Sequence, residues 1–222
     1  MDEKDDKLGT GSGKLDDFLG GGYEKSVITT IFGPAGTGKT TACLLSAVAA
    51  SKDGKVIFID TEGGFSTERL KQLTPDYKKV LDRIFLLKPM TFEEQKHCID
   101  SLHGKFPKGI SLVVCDTIAA LYRVERGDDN QGLNAELARQ LGKLLEISRK
   151  NSIPVIVTNQ VYADFDDRTK VKMVGGDIIT YNSKCLLEFQ PLSRTQRKAL
   201  LKKHRSLPEK EIVFEIKEEG IV

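Results

Sequence analysis

The stretch GPAGTGKT at residues 33–40 constrains the fold of this chain more than any other segment. It matches the pattern G-x-x-x-x-G-K-[ST] and lies between the apolar run VITTIF and the helical pattern KTTACLLSAVAAS. In that strand-to-helix setting, glycines let consecutive backbone N–H groups face a phosphate, and the helix N-terminus adds partial positive charge. The stretch therefore predicts a phosphate-binding loop inside an α/β domain.

The residues of this loop have separate predicted roles. Lys39 is expected to reach the β- and γ-phosphates of ATP, and Thr40 to offer its hydroxyl to Mg²⁺. The other predicted nucleotide contacts are Gly33, Pro34, Ala35, Gly36, Thr37, Gly38 and Thr41. The alternative is a glycine-rich turn that binds no ligand.

Apolar strands alternate with amphipathic helices along most of the chain. The predicted strands after the loop are KVIFID (55–60), ISLVVCD (110–116) and IPVIVTNQV (153–161). The predicted helices are STERLKQL (66–73), TFEEQKHCIDSL (91–102) and LNAELARQLGKLLEIS (133–148). Continuous apolar strands indicate a parallel sheet covered by helices on both faces, and the shorter, alternating C-terminal segments indicate antiparallel edge strands.

Length and composition exclude several classes of protein. The 222 residues suit one domain, which we assign to residues 9–222 after an acidic tail at 1–8. No apolar run approaches the roughly 20 residues of a membrane span, and the acidic start is unlike a signal peptide, so we expect a cytoplasmic protein. The four cysteines form no C-x-x-C pair, and the three histidines show no metal-ligand spacing.

Three carboxylates follow apolar strands. Asp116 ends LVVCD, so it is expected at the carboxyl edge beside the phosphate loop, holding a magnesium-bound water. If the strand at 55–60 neighbours the phosphate-loop strand, Glu62 also lies near the γ-phosphate and can activate a water. Asp60 is expected to have a structural or metal-supporting role. Alternatively, Asp60 and Glu62 cap the turn through the N–H groups of Gly63 and Gly64.

Several blocks, in this order and spacing, resemble the RecA-type recombinase core in its archaeal branch. They are GTGSGKLDDFLGGGY, GPAGTGKTT, DTEGGFSTERL, LVVCDTIAALYR, LARQLGKLLEISRK, IPVIVTNQV, GGDIITYNS and LPEKEIVFEIKEEGI. The resemblance covers nearly the whole chain and is strongest to a short archaeal paralogue that has the ATPase core without an N-terminal domain. It implies a RecA-like P-loop NTPase fold.

The resemblance also implies roles for individual residues. Lys39, Thr40, Asp116 and Glu62 keep the roles given above, and Gln160 corresponds to the glutamine that senses the γ-phosphate. Arg69 is similar to the residue that packs on the nucleotide base. Residues 122–132 and 161–177 occupy the positions of the DNA-facing loops. Their cationic DNA-binding candidates are Arg123, Arg126, Arg168, Lys170 and Lys172.

This sequence departs from the family pattern at three points. The Phe-x-x-Ala tether before the core is missing, so we expect a monomer or small homo-oligomer rather than a long filament. Where the family has an acidic stretch over a neighbour's ATP, this chain has KKHRSLP, and Tyr181 replaces a histidine of the eukaryotic recombinase. The segment 194–205 contains six cations and no acid: Arg194, Arg197, Lys198, Lys202, Lys203 and Arg205. It is either a DNA-backbone contact, a basic finger toward a neighbour's γ-phosphate, or a solvated hairpin.

The predicted function is an ATP-binding, DNA-binding accessory protein of homologous recombination and repair, with weak ATPase activity. The resemblance implies single-stranded or branched DNA as a partner, and protein partners among the main recombinase RadA, a Holliday junction resolvase and a DNA polymerase. Two alternatives remain: a KaiC-like signalling ATPase that acts on proteins, and an active strand-exchange enzyme.

Overall fold

The computed structural model describes residues 6–127, 130–163 and 171–222, apart from the side chains of Ala163 and Val171. The strands are β1 (Lys7–Leu8), β2 (Tyr23–Glu24), β3 (Ile28–Phe32), β4 (Lys55–Asp60), β5 (Ile84–Leu87), β6 (Ile110–Asp116), β7 (Val155–Asn159), β8 (Val161–Ala163), β9 (Val171–Met173), β10 (Cys185–Pro191), β11 (Gln196–Lys203), β12 (Lys210–Lys217) and β13 (Gly220–Ile221). The helices are α1 (Gly13–Phe18), α2 (Lys39–Ala50), α3 (Thr67–Leu73), α4 (Tyr77–Leu81), α5 (Phe92–Gly104), α6 (Ala120–Glu125), α7 (Gln131–Asn151) and α8 (Gly176–Asn182).

Nine strands form one twisted sheet in the order β13-β12-β11-β10-β3-β7-β6-β4-β5. The pairs from β10 through β5 are parallel, whereas β11, β12 and β13 pair antiparallel to their neighbours. This arrangement confirms the predicted RecA-like sheet with antiparallel C-terminal strands. Alternate residues of the parallel strands enter two separate apolar cores, so Phe58 packs with α1 and α2 while Ile57 packs with α5 and α7.

The strand order corrects one expectation. Strands β6 and β7 separate β4 from the phosphate-loop strand β3, so these two strands are not neighbours. Glu62 reaches the phosphate loop by another route, because the turn after β4 is fixed to the end of β6. Thr61 N donates to Asp116 O at 2.9 Å, and Thr61 Oγ1 donates to Thr117 O at 2.8 Å, beside a cis peptide bond between Asp116 and Thr117.

The start of the described chain is part of the fold. Lys7 and Leu8, which the sequence analysis assigns to the acidic tail, pair antiparallel with Glu24 and Tyr23. Lys7 Nζ also donates to the carbonyl of Gly20 at 2.7 Å. None of the helices within the described ranges is long and apolar enough to cross a membrane.

A buried histidine at the end of β11 contacts the antiparallel β1–β2 pair. The His204 side chain is 1% exposed, its Nε2 lies 3.6 Å from Glu24 Oε2, and its Nδ1 accepts from the backbone N–H groups of Ser206 and Leu207. Burial lowers the pKa of His204, with Lys7, Arg205 and Lys210 adding to the effect and Glu24 opposing it. The imidazole is therefore neutral in the folded protein at neutral pH.

This neutral histidine predicts a loss of stability in acid. Below about pH 6.5, the ordinary pKa of histidine, the unfolded chain binds a proton that folded His204 binds only at lower pH. Thermal midpoints should therefore fall as the pH decreases from 7.5 to 5.5. His204→Asn should show a smaller fall, because asparagine does not titrate in this range, while its side-chain oxygen retains an acceptor for the two N–H groups. An equal fall in both proteins, measured by circular dichroism, would contradict this assignment.

Candidate nucleotide-binding site

The turn between β3 and α2 has the shape of an anion-binding loop. Gly33, Gly36 and Gly38 have φ angles of 151°, 74° and 98°. A Cβ at Gly33 would lie 2.0 Å from Phe189 O, so no larger residue fits there. Within the described part of the chain, the N–H groups of residues 36–38 have no hydrogen-bond acceptor. These donors and the N-terminus of α2 fit a phosphate group.

Lys39 is folded back into this loop. It is 8% exposed, and its Nζ donates to the carbonyls of Gly33 and Pro34, each at 2.8 Å. Burial lowers the pKa of Lys39, while the negative charges of Asp116 and Glu62 oppose that shift. The amine thus lies at the mouth of the loop, where a polyphosphate would offer oxygens in place of the two carbonyls.

Thr40 and Asp116 are hydrogen-bonded in a geometry that suits Mg²⁺. Thr40 Oγ1 donates to Asp116 Oδ2 at 2.7 Å, and Thr158 Oγ1 donates to Asp116 Oδ1. Burial raises the pKa of Asp116, and these two hydrogen bonds oppose the shift. Because the Thr40 proton points to Asp116, the hydroxyl lone pairs stay available to a cation, and these residues therefore fit Mg²⁺.

The two carboxylates after β4 have different environments. Asp60 is 2% exposed and accepts from the N–H groups of Gly64 at 2.9 Å and Phe65 at 3.1 Å, so it caps the turn. Glu62 does not cap the turn. Its Oε2 accepts from Thr117 Oγ1 at 2.7 Å, and its Oε1 accepts from Gln160 Nε2. The capping alternative thus applies to Asp60 alone, and its donors are Gly64 and Phe65 rather than Gly63 and Gly64.

Residues of the phosphate loop, α2, the turns after β4 and β7, and the ends of β6 and β12 line one open cavity of about 320 Å³. Its lining residues are Ala35, Gly36, Gly38, Lys39, Thr40, Thr41, Glu62, Asp116, Gln160 and Ile216. Three other predicted loop residues do not line the cavity: Gly33, Pro34 and Thr37. They stabilise the loop internally, since Thr37 Oγ1 donates to Pro34 O at 2.8 Å.

Sequence reasoning did not find every residue that builds this site. Ile216 of β12 lines the cavity, and Thr158 of β7 holds Asp116, yet both belong to ordinary strand patterns that give no local signal. The predicted base-packing residue Arg69 does not line the cavity. Its guanidinium donates to the carbonyls of Lys217 at 2.7 Å and Glu218 at 3.1 Å, which joins α3 to the C-terminal strands.

Comparison with known proteins agrees with the fold. A family model described as Rad51 matches residues 5–222. The chain belongs to the Rad51 family. A DNA repair and recombination protein RadB from Methanobrevibacter smithii is 40% identical over 99% of this chain and 97% of its own. A protein of the same name from Thermococcus kodakarensis is 42% identical, with 96% and 98% covered.

A solved structure supports the same assignment. The crystal structure of a RadB recombinase is 40% identical and gives a TM-score of 0.83, with 96% of this chain and 98% of that chain covered. RadB is the short archaeal paralogue that the sequence blocks resemble, so the predicted resemblance is confirmed. A RecA-type ATPase core of this kind generally uses a nucleotide and Mg²⁺.

The predicted DNA-facing loops of this Rad51-family chain contain more regular structure than expected. Residues 122–132 begin in α6 and end in α7, and residues 161–177 include the antiparallel strands β8 and β9 and the start of α8. A contact between Tyr122 of α6 and Asn134 of α7 joins these two helices. Tyr122 is buried, and its hydroxyl donates to Asn134 Oδ1 at 2.5 Å. Arg123, Arg126 and Lys172 are exposed. Arg168 and Lys170 lie outside the described residues.

The six cations of 194–205 do not form one surface. Strand β11 spans eight residues, Gln196–Lys203, so its ends are roughly 25 Å apart. Arg197 Nε donates to Gly36 O at 3.2 Å, at the phosphate-loop end. At the opposite end, Lys203 Nζ donates to Thr180 O at 2.9 Å, and Arg205 Nε donates to Glu24 Oε1 at 2.8 Å.

Two of these cations are available for an external anion. Lys198 forms an ion pair with Glu211 at 3.1 Å. Arg194 and Lys202 are exposed, and their side chains have no hydrogen bond or ion pair to any residue in the described ranges. They are therefore the members of the segment that could contact a phosphate without breaking an internal bond.

Proposed function

We propose that this protein binds ATP and Mg²⁺ at the cavity beside the phosphate loop and uses the nucleotide to control DNA binding in recombination and repair. The observation that supports this most is the convergence of Lys39, Thr40, Glu62, Asp116 and Gln160 around one cavity. In this proposal, Lys39 and the loop N–H groups bind the phosphates, while Thr40 and Asp116 would hold the cation. Bound Mg²⁺ would neutralise charge that develops on the phosphates.

The hydrolysis that we propose is slow. Among the described residues that line the cavity, Lys39 is the one with a positively charged side chain, and none is an arginine. An arginine that stabilises the transition state can raise phosphoryl-transfer rates by about 10³ to 10⁵. In an isolated protomer, Glu62 would therefore position the water without an arginine to stabilise the transition state. Slow hydrolysis of this kind fits an accessory protein better than an ATP-driven motor protein.

The proposal is tested by fluorescence anisotropy of a labelled single-stranded oligonucleotide, titrated without nucleotide, with ATP-Mg²⁺ and with ADP-Mg²⁺. We expect salt-dependent binding whose affinity differs among the three states. Failure to bind single-stranded or branched oligonucleotides at low salt in all three states would contradict DNA binding. The KaiC-like function, directed at proteins, would then be the better proposal.

We expect Arg194 and Lys202 to contribute to that binding. Each phosphate contact to a single strand contributes about 0.7 to the slope of log Kobs against log salt. The variant Arg194→Ala with Lys202→Ala should therefore bind more weakly and lose about 1.4 from the slope. Lys79→Ala is the control, since this exposed lysine lies on α4 and pairs with Asp76 at 2.8 Å. An unchanged slope in the double variant would place the DNA elsewhere.

Protein partners and assembly are also part of the proposal. RadA, a Holliday junction resolvase and a DNA polymerase are the proposed protein partners, and we propose a monomer or small oligomer formed by a single core domain. Light scattering with and without ATP-Mg²⁺ measures the assembly directly, and long filaments would contradict it.

A further inference from the structure

Arg197 of β11 joins the phosphate loop to the turn between β10 and β11. Its Nε donates to Gly36 O at 3.2 Å, and its Nη1 donates to Gln196 O at 3.1 Å. In sequence this arginine looks like one of six cations that could contact DNA, yet both of these nitrogens donate to carbonyls of the chain itself. The side chain therefore serves a contact inside the protomer.

This contact determines the orientation of one peptide group in the phosphate loop. The C=O and N–H groups of a planar trans peptide point in opposite directions, so the direction of Gly36 O sets that of Thr37 N–H. Gly36 O is turned toward Arg197, which does not line the nucleotide cavity. Thr37 N–H is consequently turned toward the cavity, and it has no acceptor among the residues that the structure describes. It is thus available to a phosphate.

Without Arg197, little else would hold this peptide in place. Gly36 has a φ of 74°, and a Cβ built on it would meet no atom within 4 Å, so packing does not restrain it. Glycine adopts positive and negative φ about equally, and a rotated peptide would present its carbonyl oxygen to a phosphate that needs a donor. A guanidinium is a charged donor, and such hydrogen bonds are roughly twice as strong as neutral ones. Arg197 therefore opposes the rotation.

We propose that Arg197 is a positioning residue for nucleotide binding, which holds the Gly36–Thr37 peptide with its N–H group toward the phosphates. The inference rests on the proposed function and adds a residue outside the cavity to the binding of ATP. Loop N–H groups of this type face the α- and β-phosphates, which ADP and ATP share. Loss of Arg197 should therefore weaken the binding of both nucleotides by the same factor.

The test compares the Kd values of ADP-Mg²⁺ and of a slowly hydrolysed ATP analogue with Mg²⁺, measured by isothermal titration calorimetry. Arg197→Met keeps the length of the side chain and removes its donors, so both Kd values should rise about tenfold, the contribution of about one hydrogen bond. Arg197→Lys retains a charged donor and should recover part of the affinity. Arg194→Met is the matched control: it removes the same charge from an exposed side chain without a partner in the described ranges, so both Kd values should stay close to those of the wild type.

Amide NMR spectra of the ADP-saturated protein separate positioning from a general loss of stability. The Thr37 N–H signal of the wild type should move downfield when ADP-Mg²⁺ binds, because the group gains a charged acceptor, and the shift at saturation should be smaller in Arg197→Met. Four results would overturn the proposal: unchanged Kd values in Arg197→Met, a loss confined to the ATP analogue, equal losses in Arg197→Met and Arg194→Met, or an unchanged Thr37 shift. A wild type that binds neither nucleotide would instead overturn the proposed function itself.

Discussion

Lys39→Ala should weaken ATP binding by about 10²-fold or more, the largest effect on nucleotide affinity that we expect from a single substitution in this chain. The reason is the position of its amine, which donates to two loop carbonyls at 2.8 Å and would donate to phosphate oxygens when a nucleotide is present. Each hydrogen bond to a charged group is worth about 1.5–3 kcal/mol, so losing two accounts for the expected change. Isothermal titration calorimetry measures it directly.

This variant also changes the loop itself, and the experiment must separate the two effects. Without the amine, the carbonyls of Gly33 and Pro34 lose their donor, which can reduce stability as well as affinity. Thermal unfolding without nucleotide reports that change alone. Lys79→Ala serves as the control for charge. ATP affinity near the wild-type value in a folded Lys39→Ala protein would show that the loop does not bind the polyphosphate through Lys39.

The sequence predicts this site well where one short segment contains the chemistry. The loop from Gly33 to Thr40 combines glycines that reach positive φ, a lysine and a threonine, so its function depends little on distant residues. Asp116 is similar, because an acid at the end of a buried parallel strand must emerge at the carboxyl edge. Local sequence also determines the start of α3, where Ser66 is the N-cap and its Oγ accepts from Arg69 N at 3.1 Å.

The sequence does not predict features that depend on contacts between distant segments of the chain. The order of strands follows from how β6 and β7 insert between β3 and β4, and no local pattern encodes that insertion. Likewise, a run of cations looks like one surface in sequence, yet β11 separates its ends and an internal acid, Glu24, binds Arg205. The sequence shows where charged residues occur along the chain, but long-range packing decides which of them face solvent on a common surface.

Glu62→Gln should leave nucleotide affinity close to the wild-type value and reduce turnover by about 10²-fold or more, the contribution expected of a general base. The substitution preserves the shape of the site. A glutamine oxygen at position 62 can still accept from Gln160 Nε2, and the Thr117 hydroxyl can reverse to accept from the new amide nitrogen. What is lost is the negative charge that takes a proton from water. Steady-state phosphate release and ATP titration measure the two quantities separately.

Two comparisons identify the cause of that loss. Glu68→Gln is the matched control, since Glu68 lies on α3 with a side chain 78% exposed and pairs with Lys71, so turnover should not change. Thr117→Val removes one donor to Glu62 and keeps the carboxylate, so we expect a partial loss of turnover with nucleotide affinity retained. If Glu62→Gln hydrolyses ATP as fast as the wild type, Glu62 is not the base. Its contacts to Gln160 and Thr117 would then serve only to hold the turn after β4.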